Sequence, residues 1–212
     1  MASIADNLQA VKSRLGTVTL LAVSKGQDVE KIRAAVAAGQ RAFGENYAQE
    51  ALQRMDQVHG LEWHLIGPLQ SNKTRAVAER FDWVQTVASE KIAKRLSEQR
   101  PAGLPPLNVL IQVNASGEAT KSGVRPEEVP ELAQRIVAME NLRLRGVMAI
   151  PEPGADRSRY AQMKKIFDSL KPLGVDTLSM GMSDDMDVAI SEGSTMVRIG
   201  TAIFGSRQRK AA

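Results

Sequence analysis

The chain has 212 residues, 43% hydrophobic and 25% charged, with a formal net charge of +4, which suits one globular domain able to bury a full core. It contains no cysteine, which excludes disulfides and a thiolate nucleophile and fits a reducing compartment. The basic bias is mild, and its only dense cluster is the tail 206–212, so no nucleic-acid recognition signature is present.

The N-terminal stretch MASIADNLQAVKSRLG lacks the apolar segment of a signal peptide, and apolar runs such as Val18 to Val23 are far too short to span a bilayer. The expectation is a cytoplasmic protein without membrane contact. Ile4, Leu8, Val11 and Leu15 recur at helical spacing, which predicts an amphipathic helix over 2–15 packed on the body.

Short apolar strands then alternate with helices. The first strand is Thr17–Val23, with a helix over Asp28–Ala38. RAFGEN is the second strand, followed by a helix through Met55. EWHLIG leads to a helix from Ser71 to Arg80, and DWVQTV to one over Ser89–Arg100. The Pro-rich RPAGLPP reads as a surface loop, because the alternation resumes after it. LNVLIQVN precedes a helix from Pro126 to Met139, and LRLRGVMAI one over Asp156–Leu170. DTLSMG precedes a short helix from Asp184 to Ser191, and TMVRIG ends in a last turn through Gly205.

Eight such units predict parallel strands joined by helical crossovers, closed as a single (β/α)8 TIM barrel over 1–212. An open doubly wound sheet is the alternative, but no strand is followed by a glycine-rich dinucleotide turn or a P-loop.

In such a barrel, chemistry gathers at the C-terminal ends of the strands. Lys25 follows the first strand, Glu45 and Asn46 the second, Gly67 the third, Asn114 the fifth and Ile150 the sixth. Met182 and Ser183 follow the seventh strand; Arg198, Gly200 and Thr201 mark the eighth. Glycines that admit backbone N–H groups, hydroxyls at Ser183 and Thr201, and nearby helix starts are what a phosphate site needs. Ordinary glycine turns with N-caps account for the same residues. Asp184, Asp185 and Asp187 read as first-turn acids rather than metal ligands, and two histidines without ligand spacing make no metal site. His64 reads as a hydrogen-bonded core residue. Lys25 is either a solvated strand-end charge or an amine held in a barrel mouth beside the eighth strand, where it could meet a phosphorylated aldehyde. No catalytic triad or carboxylate pair stands out.

The stretches LLAVSK, FGENYAQE, WHLIGPLQSNK, LSMGMSDDM and MVRIGTAIFG together resemble the pyridoxal-phosphate homeostasis (PLP-binding) protein family, over nearly the whole chain. The resemblance implies the alanine racemase N-terminal barrel, the type III fold of pyridoxal-phosphate enzymes, without the second β-domain. It implies that Lys25 forms a Schiff base with pyridoxal 5′-phosphate (PLP). Ser183, Gly200 and Thr201 would hold the phosphate with backbone help at Met182, while Arg198 faces the pyridine nitrogen and Asn46 lies beside the ring. Arginine there would keep the nitrogen unprotonated and weaken the ring as an electron sink. Racemases of this fold add a tyrosine from a partner subunit's second domain and a histidine in a GVMTH-like strand. Here GVMAI ends in Ile150, and the resemblance gives neither Tyr47 nor Tyr160 that role.

The expectation is therefore a non-catalytic, monomeric PLP carrier that supplies PLP-dependent apo-enzymes. A slow racemase-like enzyme and a Schiff-base aldolase are the alternatives. Many family members read SKTKP where this chain has Ser24-Lys25-Gly26-Gln27-Asp28, so a second lysine is replaced by Gln27. Lys121 matches a further family lysine near the mouth and reads equally well as a solvated loop residue.

Overall fold

In the computed structural model, which describes residues 2–116 and 122–205, eight strands close into a barrel in chain order. They are β1 (Thr19–Val23), β2 (Ala42–Glu45), β3 (Glu62–Leu65), β4 (Trp83–Val87), β5 (Leu107–Val113), β6 (Leu142–Ala149), β7 (Thr177–Ser179) and β8 (Met196–Ile199). All neighbouring pairs are parallel, and β8 returns to β1 with Leu21 opposite Arg198 and Ala22 opposite Ile199. Lys121 and the tail 206–212 lie outside the described residues.

Parallel strands cannot be joined by tight hairpins, so each connection carries a helix. After α1 (Ile4–Lys12) come α2 (Val29–Ala37), α3 (Ala48–Met55), α4 (Thr74–Arg80), α5 (Glu90–Gln99), α6 (Val129–Val137), α7 (Arg157–Ser169), α8 (Met186–Ser191) and α9 (Thr201–Phe204). Each lays an apolar stripe on the barrel. In α6 the buried set is Val129, Leu132, Ala133 and Ile136, the i, i+3, i+4, i+7 pattern of one helix face.

The N-terminal helix follows the same rule. Leu8, Val11 and Leu15 are buried, and Ser3 caps the start by a reciprocal pair of bonds with Asp6. Asn7 Nδ2 donates to the Ile203 carbonyl at 2.9 Å, which fastens α1 to the turn after β8.

Strand ends differ from the sequence expectation where local turns intervene. The first strand begins at Thr19, not Thr17, because Val18 N donates to Leu15 O and holds a turn there. β7 stops at Ser179 instead of running to Gly181. Gly181 has φ 98°, and a Cβ there would lie 2.5 Å from Ala189 Cβ, so the chain turns sharply onto α8 at a position only glycine fits. The loop RPAGLPP is pinned by Arg100, whose Nη1 donates to Ala78 O and Phe81 O and whose Nε donates to Pro105 O.

Between barrel and helices lies the large apolar core. Inside the barrel, two small clusters, Leu21–Ile66–Met196 and Trp83–Leu110–Met148, flank polar side chains. His64 stacks on Trp83 with centroids 4.9 Å apart, and the Arg145 guanidinium lies 4.6 Å from the Trp83 centroid.

Candidate functional site

The site is assembled where β1, β2, β7 and β8 end. Ser24, Lys25 and Gly26 form the turn after β1. Gly26 takes φ 69°, and Gln27 N donates to Ser24 O at 3.0 Å, closing the turn. Ser24 is tied to β2 twice. Its N–H donates to Gly44 O at 3.0 Å, and its hydroxyl donates to Glu45 Oε1 at 2.5 Å. Glu45 Oε2 accepts from Arg54 Nη1 of α3 at 2.9 Å.

Glu45 is completely buried. Burial raises its carboxyl to about 7, against the pull of the Ser24 hydroxyl, the Arg54 cation and, more weakly, the Lys25 charge. Lys25 is half-buried, so the strand-end lysine is not a fully solvated charge.

The glycine turn of the eighth strand adjoins Lys25's strand. A Cβ on Gly200 would lie 3.2 Å from Val23 O, two residues before Lys25. Ser183 comes from the turn after β7, yet its Oγ accepts the Ala202 N–H at 3.4 Å. Ser183 therefore meets the first turn of α9, which begins at Thr201 just after Gly200. Arg198 N donates to Gly181 O at 2.9 Å, which fixes the two turns side by side. Met182 follows Gly181 in the turn after β7. Its N–H donates to Asp185 Oδ1 at 2.5 Å, so an anion would have to displace a carboxylate to use it. Asp185 also accepts from Tyr160 Oη at 2.7 Å, and Asp187 pairs with Arg14 at 2.5 Å.

Arg198 is buried inside the barrel mouth. Nη1 donates to Ser179 Oγ at 2.7 Å and Nη2 to Ala149 O at 2.8 Å. Burial lowers it to about 10, so it stays a cation at neutral pH.

Asn46 lies on the other side of Lys25. Its Oδ1 is buried without a hydrogen-bond partner, and it borders a cavity of about 350 Å³ with Ile66, Gly67, Ile150 and Glu152. Gly67 is required there, since a Cβ would fall 2.0 Å from Asn46 O. The cavity extends over β3, β5 and β6, whereas Arg198 and Ser183 stand on the β7–β8 side.

This arrangement has close relatives. The family model described as "Alanine racemase, N-terminal domain" matches residues 1–208. The pyridoxal phosphate homeostasis protein of Pseudomonas aeruginosa is 54% identical over 98% of this chain and 97% of its own. The chain belongs to the pyridoxal phosphate homeostasis protein family. A solved family member is PipY of Synechococcus elongatus, known without PLP and with PLP bound. It is 36% and 35% identical in the two structures, with TM-scores of 0.86 and 0.84, and the match covers 96% of this chain and all of PipY. Alanine racemase from Corynebacterium glutamicum shares the fold at 19% identity and TM-score 0.78, and this chain covers 62% of it. What the homeostasis proteins share with that racemase is thus the barrel.

The residues fit the group such a family implies. A half-buried amine suits an aldehyde, a buried amide oxygen without a partner and a buried guanidinium suit a polar ring, and a glycine turn with a hydroxyl suits a phosphate. Ser24, Arg54, Ser179 and Gln85 were not singled out in sequence, and Glu45 was noted only at a strand end without a role, although each touches a candidate site residue or leads to one. Their signal was faint: a serine and a glutamine inside otherwise apolar strands, and an acid next to Asn46.

Proposed function

We propose that this protein binds PLP covalently as a Schiff base on Lys25, keeps the reactive aldehyde out of solution, and passes it to PLP-dependent apo-enzymes. The observation that carries the reading is the juxtaposition of Lys25's strand with Gly200 and Ser183 across the β8–β1 seam. The names of the homeostasis relatives and the PLP-bound PipY structure support it.

Bound PLP supplies an aldehyde for condensation with the amine, with loss of one water, and a ring able to withdraw electrons. The protein's part is orientation. Ser183, Gly200 and Thr201 hold the phosphate. Asn46 lies beside the ring, and Arg198 faces its nitrogen. A cation there disfavours protonation of the nitrogen and so damps carbanion chemistry, which suits a carrier rather than an enzyme. Ile150, where a racemase carries histidine, and Tyr160, held by Asp185, add no acid–base group. The carrier works in the cytoplasm as a monomer in this reading. Purified protein titrated with PLP should develop imine absorbance that Lys25→Ala abolishes, and size-exclusion chromatography with light scattering should give the monomer mass.

A further inference from the structure

Inside the barrel runs a chain of five polar side chains that PLP binding as described above leaves largely unexplained. Arg198 Nη1 on β8 donates to Ser179 Oγ on β7 at 2.7 Å. The Ser179 hydroxyl donates to Gln85 Oε1 on β4 at 2.7 Å. Gln85 Nε2 reaches His64 Nδ1 on β3 at 2.9 Å and Met196 Sδ at 3.2 Å. His64 Nε2 meets Glu62 Oε1 at 2.8 Å. Since β4 and β7 are not neighbours in the barrel, the Ser179–Gln85 bond crosses the interior. Arg198, Ser179, Gln85 and His64 are all buried, while Glu62 is exposed at the start of β3, the end of the barrel opposite the site.

The direction of each bond is set by its neighbours. Serine has one O–H, and here it goes to Gln85. The Gln85 oxygen therefore accepts and its NH2 donates, which assigns His64 Nδ1 as acceptor and Nε2 as the N–H that faces Glu62. Burial holds the imidazole below its ordinary range, in keeping with this neutral tautomer. Every bond then points from the guanidinium toward the carboxylate. Turning the Gln85 amide over would face its oxygen to the His64 lone pair and its NH2 to the side of Ser179 that now donates. The amide orientation is thus fixed from the far end of the barrel, and it fixes the hydroxyl against which Arg198 rests.

A network of this kind can serve packing alone. Buried amides and imidazoles are costly unless fully bonded, and partial satisfaction is worse than an apolar core. What sets this network apart is where it ends: on the residue that faces the cofactor ring in the reading above.

We propose that Gln85 is a positioning residue which, through Ser179, orients the Arg198 guanidinium, so that the site's preference for a ring nitrogen depends on Gln85. The proposal rests on the assignment of Arg198 to that nitrogen. The test compares PLP with its 1-deaza analogue, in which carbon replaces the ring nitrogen, by calorimetric titration of the full chain. Wild type binds PLP more tightly than the analogue. Gln85→Leu weakens PLP about tenfold, the scale of one well-placed hydrogen bond, and changes the analogue by less than about twofold, so the preference collapses. Equal losses for both ligands in Gln85→Leu would show a packing role only and overturn the proposal, as would a wild type that binds both ligands equally. If Gln85→Leu does not fold, Ser179→Ala breaks the same path one bond nearer to Arg198, and an unchanged preference in that variant overturns it instead. A wild type that takes up neither ligand would remove the PLP reading itself, a distinct outcome.

Discussion

The Ser24 hydroxyl donates to the buried Glu45 carboxyl at 2.5 Å, and Lys25 is the next residue in the chain. Lys25 therefore stands on a turn that is anchored to β2 by an acid, which Arg54 holds from behind. Asn46 follows that acid directly, so one carboxyl fixes the bases of two site residues. That arrangement has a consequence for pH.

Glu45 is raised to about 7 in the folded protein, while an unfolded chain releases that proton near the ordinary glutamate value. The native state then holds more protons than the unfolded state between those values, so stability falls as pH rises from about 4.5 through about 7. The full difference is on the order of 3 kcal/mol. Urea unfolding at pH 5 and pH 8 should show this loss in wild type and a smaller one in Glu45→Gln. Equal losses in the two proteins would contradict the assignment.

Gly67→Ala sets a Cβ against Asn46 O, where the separation would be 2.0 Å. The backbone must move, at a cost of roughly 1–3 kcal/mol, and Asn46 moves with it. Thermal unfolding should reveal the loss and titration a weaker PLP affinity. Gly103→Ala is the control, since nothing lies within 4 Å of its Cβ position, and it should stay within about 0.5 kcal/mol of wild type.

Gln27 is buried, and its Oε1 accepts from Lys31 Nζ at 3.0 Å, while Lys31 also donates to Phe204 O at 3.2 Å. Gln27→Lys replaces an acceptor with a second cation and puts another amine in the turn that carries Lys25. PLP release, followed by trapping with an excess of apo-enzyme, should be faster than in wild type, because an adjacent amine gives the aldehyde an intramolecular transfer partner. An unchanged rate would rule out that role for position 27.

Incubation of the PLP-loaded protein with L-alanine in deuterated water should give no Cα exchange on the scale of enzyme turnover, about 1 s⁻¹ or faster. Ile150 directly follows β6 and offers no acid–base group, and Tyr160 Oη is engaged by Asp185. Steady exchange read by mass spectrometry would make the protein a catalyst.

The barrel was legible because its signals are local and repeated: apolar runs of strand length, helical stripes between them, and glycine turns after the seventh and eighth strands. The pairing of β8 with β1 follows from closure alone, and it brings Lys25's strand to Gly200. The Arg198 path was not legible, because it joins strands far apart in sequence. Ser179 and Gln85 are separated by 94 residues, and in each strand the polar residue looks like an interruption. Glu45 was noted at a strand end, but nothing in FGEN shows that Ser24 and Arg54 close on it. The role of Met182 came from the family resemblance, and its local bond to Asp185 could not be read from MGMSDD.

The absorption spectrum of the purified protein titrated with PLP tests the central claim most directly. A visible Schiff-base band is expected in wild type, and its loss in Lys25→Ala, with borohydride fixing a pyridoxyl group on Lys25. A wild type that stays colourless with PLP, or a band that survives in Lys25→Ala, would contradict it.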